Sequence, residues 1–158
     1  MNCAILCVGK LREKCWQDAA AEYQKRISRF GKLEIVEVND LPEPQNASPA
    51  QQAQVMEKEG ESLLSRLKPG DHVIALCIDG PQLTSERFAK SLQAAEMRGG
   101  RQVFVIGGSL GLSQAVIQRA DEKLSLSQMT FPHQLARVLL MEQIYRGCKI
   151  NAGERYHK

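Results

Sequence analysis

Short apolar runs alternate along the chain with segments in which apolar residues recur every three or four positions. The runs predict buried strands over 2–8, 33–38, 73–78, 103–106 and 122–126. The periodic segments predict amphipathic helices over 16–30, 51–67, 84–97, 113–120 and 133–148. This alternation predicts an α/β layer fold, with a largely parallel sheet covered by helices on both faces.

Composition predicts one soluble domain spanning residues 1–158. The chain has 43% hydrophobic and 25% charged residues, which is ordinary for a globular protein of this length. Its five cysteines are odd in number and form no Cys-x-x-Cys, so we expect neither a metal site nor a disulfide framework. The pattern fits a reducing cytoplasm. The N-terminal apolar run is too short for a signal peptide, and no run reaches transmembrane length.

The net charge of +3 is small, but basic residues concentrate near the two ends. Between Lys10 and Lys32 there are seven basic residues against three acids. From Arg137 onward there are five against two. If the fold or a dimer brings the two ends together, they form a phosphate-facing surface; two solvated helix faces are an equally good interpretation.

A glycine turn follows the fourth predicted strand. Gly107-Gly108-Ser-Leu-Gly111 lacks the spacing of a dinucleotide fingerprint and of a phosphate loop, so alone it fits an ordinary tight turn as well as a ligand loop. Ligands of open α/β sheets bind at the carboxyl ends of strands, which favours the ligand loop.

A polar loop, Ser127-Gln128-Met129-Thr130-Phe131-Pro132, precedes the last predicted helix. Its backbone groups suit hydrogen bonding to a flat heterocycle that Met129 and Phe131 would pack. A plain strand-to-helix connection is the alternative.

Polar and ring-bearing residues crowd the C-terminus. His133 begins the last helix, and Arg137 lies one turn further on, so the pair would meet one anionic group. Arg146 and the tail Arg155–Lys158 resemble a frayed helix end with basic residues. Histidine and tyrosine nevertheless also guide protons near neutral pH, which makes Tyr156 and His157 candidates for catalysis.

Several stretches, in this order, resemble the RlmH family of bacterial 23S rRNA pseudouridine N3-methyltransferases, members of the SPOUT superfamily. The resemblance covers essentially the whole chain. It rests on Val8-Gly9-Lys10, Glu57-Lys-Glu-Gly60, Phe104-Val-Ile-Gly-Gly108 with Gly111-Leu112, Phe131-Pro-His133, Arg137-Val138, Glu142-Gln143-x-Tyr145-Arg146 and Tyr156-His157.

The resemblance implies a SPOUT-type α/β fold with a deep trefoil knot in the C-terminal third. It also implies an obligate homodimer, S-adenosylmethionine as methyl donor and no metal. The implied substrate is a pseudouridine of the position 1915 type, in the helix 69 loop of 23S rRNA, on the assembled ribosome.

Site residues carry over by position. The implied cofactor contacts are Leu76, Gly107, Gly108 and the loop Ser127–Pro132. The implied catalytic candidates are His133, Arg137, Arg146, Tyr156 and His157, with the arginines contacting phosphate or charge developing on the base. An arginine side chain at Gly108 is expected to fill the cofactor pocket.

Two other function classes remain open at this point. One is a non-catalytic RNA- or ribosome-binding module of the same fold. The other is a nucleotide-binding α/β protein that uses Gly107–Gly111 for phosphate. Binding of S-adenosylmethionine, ATP or NAD separates them.

Overall fold

The computed structural model describes residues 1–156, in which strands and helices alternate strictly. The strands are β1 (Asn2–Val8), β2 (Lys32–Val38), β3 (Asp71–Leu76), β4 (Arg101–Ile106) and β5 (Glu122–Leu124). The helices are α1 (Lys14–Ile27), α2 (Pro49–Leu64), α3 (Ser85–Arg98), α4 (Gln114–Arg119) and α5 (His133–Asn151). The predicted succession of elements is confirmed.

The five strands form one parallel sheet in the order β2-β1-β4-β3-β5. Strands β4, β3 and β5 are therefore neighbours, and their carboxyl ends meet at the same edge. The segments that follow these three strands must converge there, although they are far apart along the chain. This topology positions the candidate site.

Helices cover both faces of the sheet, as the sequence predicts. In β1, Cys3, Ile5 and Cys7 point to the face covered by α1, α3 and α5. The intervening residues Ala4 and Leu6 point to the face covered by α2 and α4. Both faces are thus apolar, which is why β1 is a continuous apolar run rather than an alternating one.

The buried thiols of β1 behave as small hydrophobic groups. Burial raises the pKa of both Cys3 and Cys7 to about 12, so neither is ionised near neutral pH. Within residues 1–156 no group of three or more His, Cys, Asp or Glu side chains is placed to hold a metal ion.

Most element boundaries differ from the sequence prediction by one to three residues. Strand β3 begins at Asp71, whose buried carboxylate accepts a hydrogen bond from Arg101 Nη2 at 2.6 Å. Cys77 lies just beyond β3 rather than inside it, and β5 ends at Leu124. Thr84 caps α3 as predicted, accepting a hydrogen bond from the backbone N–H of Arg87 at 3.3 Å.

The α/β architecture with a parallel sheet agrees with a SPOUT-type fold, while the trefoil knot stays a prediction. Among the residues that the structure describes, no helix is long and apolar enough to cross a membrane.

Candidate functional site

A cavity of about 740 Å³ opens at the carboxyl edge of β4, β3 and β5. The glycine turn after β4 forms one wall, and the loop after β5, which ends at Pro132, forms another. Leu76 and Cys77 contribute from the end of β3, and His133 from the start of α5. The two loops singled out in the sequence therefore lie together, because their strands flank β3 in the sheet.

The glycine turn is closed so tightly that it excludes a side chain at its first position. A Cβ on Gly107 would lie 2.5 Å from both the carbonyl carbon and the oxygen of Gly111. The Gly111 N–H donates to the Gly108 carbonyl at 3.1 Å, and Gly111 has a φ of +87°. Glycine is thus required for both the close approach and the left-handed backbone.

A side chain at Gly108 would point away from the cavity. A Cβ there would lie 2.9 Å from Glu59 Oε2 and 3.2 Å from a methyl group of Val8. The expectation that a larger side chain at Gly108 fills the cavity is therefore wrong in its mechanism. Such a side chain would first meet the carboxylate of Glu59, which would have to shift.

The loop after β5 is held at its base by hydrogen bonds. Ser125 N donates to the Pro81 carbonyl at 2.9 Å, and Ser125 Oγ donates to the Ser127 carbonyl at 2.9 Å. The Ser127 hydroxyl accepts from Met129 N at 3.0 Å. Eight of the nine predicted cofactor contacts line the cavity: Leu76, Gly107, Gly108, Ser127, Met129, Thr130, Phe131 and Pro132.

Gln128 differs from its neighbours in the loop. Its side chain is exposed and does not line the cavity. Met129 lines the cavity but is still 69% exposed, so a large apolar side chain stands at the mouth with little protein around it.

Among the predicted catalytic candidates within residues 1–156, His133 alone lines the cavity. Burial lowers its pKa, and the positive charge of Arg137 lowers it further. The imidazole is therefore neutral at neutral pH and has a ring nitrogen that can accept a proton.

Arg137 lies behind the cavity wall and does not contact solvent. Its side chain is 1% exposed, with Nη1 donating to Glu37 at 2.6 Å and Nη2 to the Gly9 carbonyl at 2.7 Å. Its Nε is buried without a hydrogen-bond partner among the described residues. The expected contact between Arg137 and an RNA phosphate is not made in this conformation, because both terminal nitrogens of the guanidinium group bind the protein.

Arg146 and Tyr156 form a second group, away from the cavity. The Arg146 guanidinium binds Glu142 at 2.6 Å and lies 3.8 Å from the centre of the Tyr156 ring. The Tyr156 hydroxyl donates to Glu142 at 2.8 Å, and burial with this bond raises the pKa of Tyr156 to about 12. His157 lies outside the described residues.

The carboxylate of Glu59, which lies beside the cavity, was not among the residues predicted for the site. A signal was available, because Glu59 is adjacent to Gly60 on the apolar side of the predicted helix, with Leu63 one turn on. In the structure all three residues are buried.

Comparisons with known proteins agree with this geometry. A sequence model described as a predicted SPOUT methyltransferase matches residues 1–157. The chain is 53% identical to the ribosomal RNA large subunit methyltransferase H of Bifidobacterium animalis subsp. lactis. It is 52% identical to the corresponding protein, numbered H 1, of Clostridium perfringens. Both alignments span 159 residues and cover 100% of each chain.

A solved structure supports the fold. A probable methylase family protein from Haemophilus influenzae Rd KW20 superposes with a TM-score of 0.57 at 13% identity. The match covers 99% of this chain and 70% of the other. With the family model and the full-length relatives, these findings show that the chain belongs to the RlmH family of SPOUT methyltransferases.

Proposed function

We propose that this protein transfers a methyl group from S-adenosylmethionine to N3 of a pseudouridine in large-subunit 23S rRNA, on the assembled ribosome. One observation carries the proposal. The glycine turn and the loop ending at Pro132 enclose a single cavity, in a chain 53% identical over its whole length to a named ribosomal RNA large subunit methyltransferase.

The cavity residues suit a nucleoside-sized ligand. A volume of about 740 Å³ is within the range of small-molecule sites. The wall residues Leu76, Met129 and Phe131 are apolar, while the two loops supply backbone donors and acceptors for a heterocycle. When bound, S-adenosylmethionine supplies an electrophilic methyl group on a sulfonium whose positive charge is lost on transfer. Apolar walls do not oppose that loss of charge.

The task of these residues is mainly alignment. An in-line displacement gains most of its rate from holding donor and acceptor in contact at the correct angle. The hydrogen bonds of Ser125 and Ser127 fix one loop, and the closed turn at Gly107 fixes the other. We propose that neutral His133, on the cavity wall, accepts the N3 proton of the target base.

A homodimer would complete the site. Glu142, which holds Tyr156, is nine residues beyond His133 on α5, or about 13 Å along the helix axis. The described tail is therefore not at its own cavity. At the mouth of the cavity, Ile78 is 54% exposed and Met129 is 69% exposed. A second copy of the chain would cover both side chains and bring its own tail near the cavity.

The fold brings the two basic ends together, because α1 packs against α5. Arg26 lies 5.8 Å from the ring centre of Tyr145 on α5, but it is also paired with Glu22. Lys10 and Lys25 are exposed and make no ion pair with the described residues. We propose that this surface contacts rRNA phosphates, so that ribosome binding weakens as salt rises.

Mass spectrometry of ribosomal RNA tests the proposal. Cells lacking this protein are expected to lose one methyl group on one modified uridine, and purified protein with S-adenosylmethionine should restore it on their ribosomes. Restoration on free RNA but not ribosomes would contradict the substrate. Cofactor binding without any methyl transfer would instead favour a non-catalytic RNA- or ribosome-binding module. The ribosomal substrate also implies that the protein acts in the cytoplasm.

A further inference from the structure

Glu59 is a buried acid that has no role in the reaction proposed above. It lies on α2 with 5% of its surface exposed, and Oε1 accepts one hydrogen bond, from Leu41 N at 3.1 Å. Within residues 1–156 no cationic side chain pairs with it, although ion pairs form in many other places. A buried carboxylate without a counter-charge is costly, so its presence calls for an explanation.

This carboxylate lies directly behind the glycine turn. Gly108 lines the cavity, and a Cβ on its far side would be 2.9 Å from Oε2 and 3.4 Å from Oε1 of Glu59. The backbone of Gly108 therefore lies between the Glu59 carboxylate and the cavity. A charge screened by so little water acts strongly on a ligand across the turn.

The groups around Glu59 do not neutralise it. Asp40, on the loop after β2, is the charged neighbour, and its own negative charge adds to the effect of burial in raising the pKa of Glu59. Asp40 is paired with Arg12 at 2.7 Å. On the other sides, β1 presents the apolar Val8 and the turn presents Gly108.

We propose that Glu59 is the counter-charge for the sulfonium of the cofactor, a specificity-determining residue that favours the cationic methyl donor over its neutral product. The inference rests on the proposed function. The donor and the product, S-adenosylhomocysteine, differ by one methyl group and one positive charge. A fixed negative charge behind the turn binds the first more strongly than the second. It opposes the loss of charge that the apolar walls permit, but it helps the spent cofactor to leave.

Calorimetry on Glu59→Gln tests this. Glutamine keeps the shape and an oxygen for Leu41 N but removes the charge. We expect the affinity for S-adenosylmethionine to fall roughly tenfold, the effect of a unit charge across a short, poorly hydrated gap, and that for S-adenosylhomocysteine to change less than twofold. Sinefungin, which carries an amine in place of the methyl sulfonium, should follow the donor. Glu61→Gln, exposed on the same helix, is the matched control and should alter neither.

A second measurement serves if Glu59→Gln does not fold. In the unmodified protein, the ratio of the two affinities is measured between pH 7 and pH 4.5, the ordinary value for a glutamic acid. Protonation of Glu59 should bring the ratio towards one. Because His133 also faces the cavity and gains charge in acid, the titration is repeated with His133→Gln, where the change in ratio should remain.

The outcomes separate this inference from the proposed function. If neither ligand binds to the unmodified protein, the proposed function fails. If both bind, and Glu59→Gln weakens them equally, or the ratio stays flat with pH in the His133→Gln protein, the counter-charge role is overturned while the methyltransferase proposal stands.

Discussion

Replacing Arg137 with methionine tests whether its buried ion pair stabilises the fold around the site. Methionine retains much of the apolar stem of arginine but removes the charge. The change leaves Glu37 without its partner and the Gly9 carbonyl without its donor. It also removes Nε, a buried donor that has no partner in the described chain.

The magnitude follows from these contacts. Breaking a buried ion pair by removing one partner costs about 3 to 5 kcal/mol. The side chain of Glu37 is 30% exposed and can regain some hydration, which places the expected loss near the lower end, at about 3 kcal/mol. For a chain of this size that loss lowers the Tm by roughly 6 to 12 °C.

Urea unfolding followed by circular dichroism measures the change. Lys14→Met is the matched control, because its pair with Asp18 is an exposed i,i+4 contact whose loss costs about 0.3 to 0.5 kcal/mol. Combining Arg137→Met with Glu37→Gln should cost less than the two single changes together, by roughly 1 to 2 kcal/mol. A loss below about 1 kcal/mol for Arg137→Met, or additive losses in the double variant, would refute a stabilising pair.

Three further predictions concern the cavity and the tail. Gly107→Ala should weaken S-adenosylmethionine binding at least 100-fold in calorimetry, because the new Cβ collides with the backbone of Gly111. Gly70→Ala, which has open space around it, is the control and should leave the affinity unchanged. Equal affinities of the two variants would contradict the tight turn. The pKa of His133 is lowered in the folded state, so its contribution to stability is present above pH 6.5 and is lost as the pH falls towards the lowered pKa. The free energy of unfolding of His133→Gln should therefore depend less steeply on pH in that range. An unchanged slope would contradict a lowered pKa. Deleting Tyr156–Lys158 should leave cofactor affinity nearly intact but abolish methylation of ribosomes, and unchanged turnover would exclude a role for the tail.

Local patterns in the sequence were sufficient for the elements and their layers. Each apolar run became a strand, because an aliphatic stretch bounded by turns is buried on both faces of a parallel sheet. The glycine turn at Gly107 and the loop ending at Pro132 could also be recognised, since backbone closeness and polar loop chemistry depend on residues adjacent in the chain. Family resemblance added expectations that periodicity does not contain, including the methyl donor and a knot.

Only the tertiary structure decided which of these residues share a site. Whether Arg137 faces RNA or Glu37 depends on which strand lies behind α5, and 100 residues of chain separate the two partners. The same holds for Glu59, which reaches Gly108 only because α2 packs on the second face of the sheet. Helical spacing fixes which side of a helix a residue occupies, but long-range packing fixes what that side contacts, and with it the charge and burial on which chemistry depends.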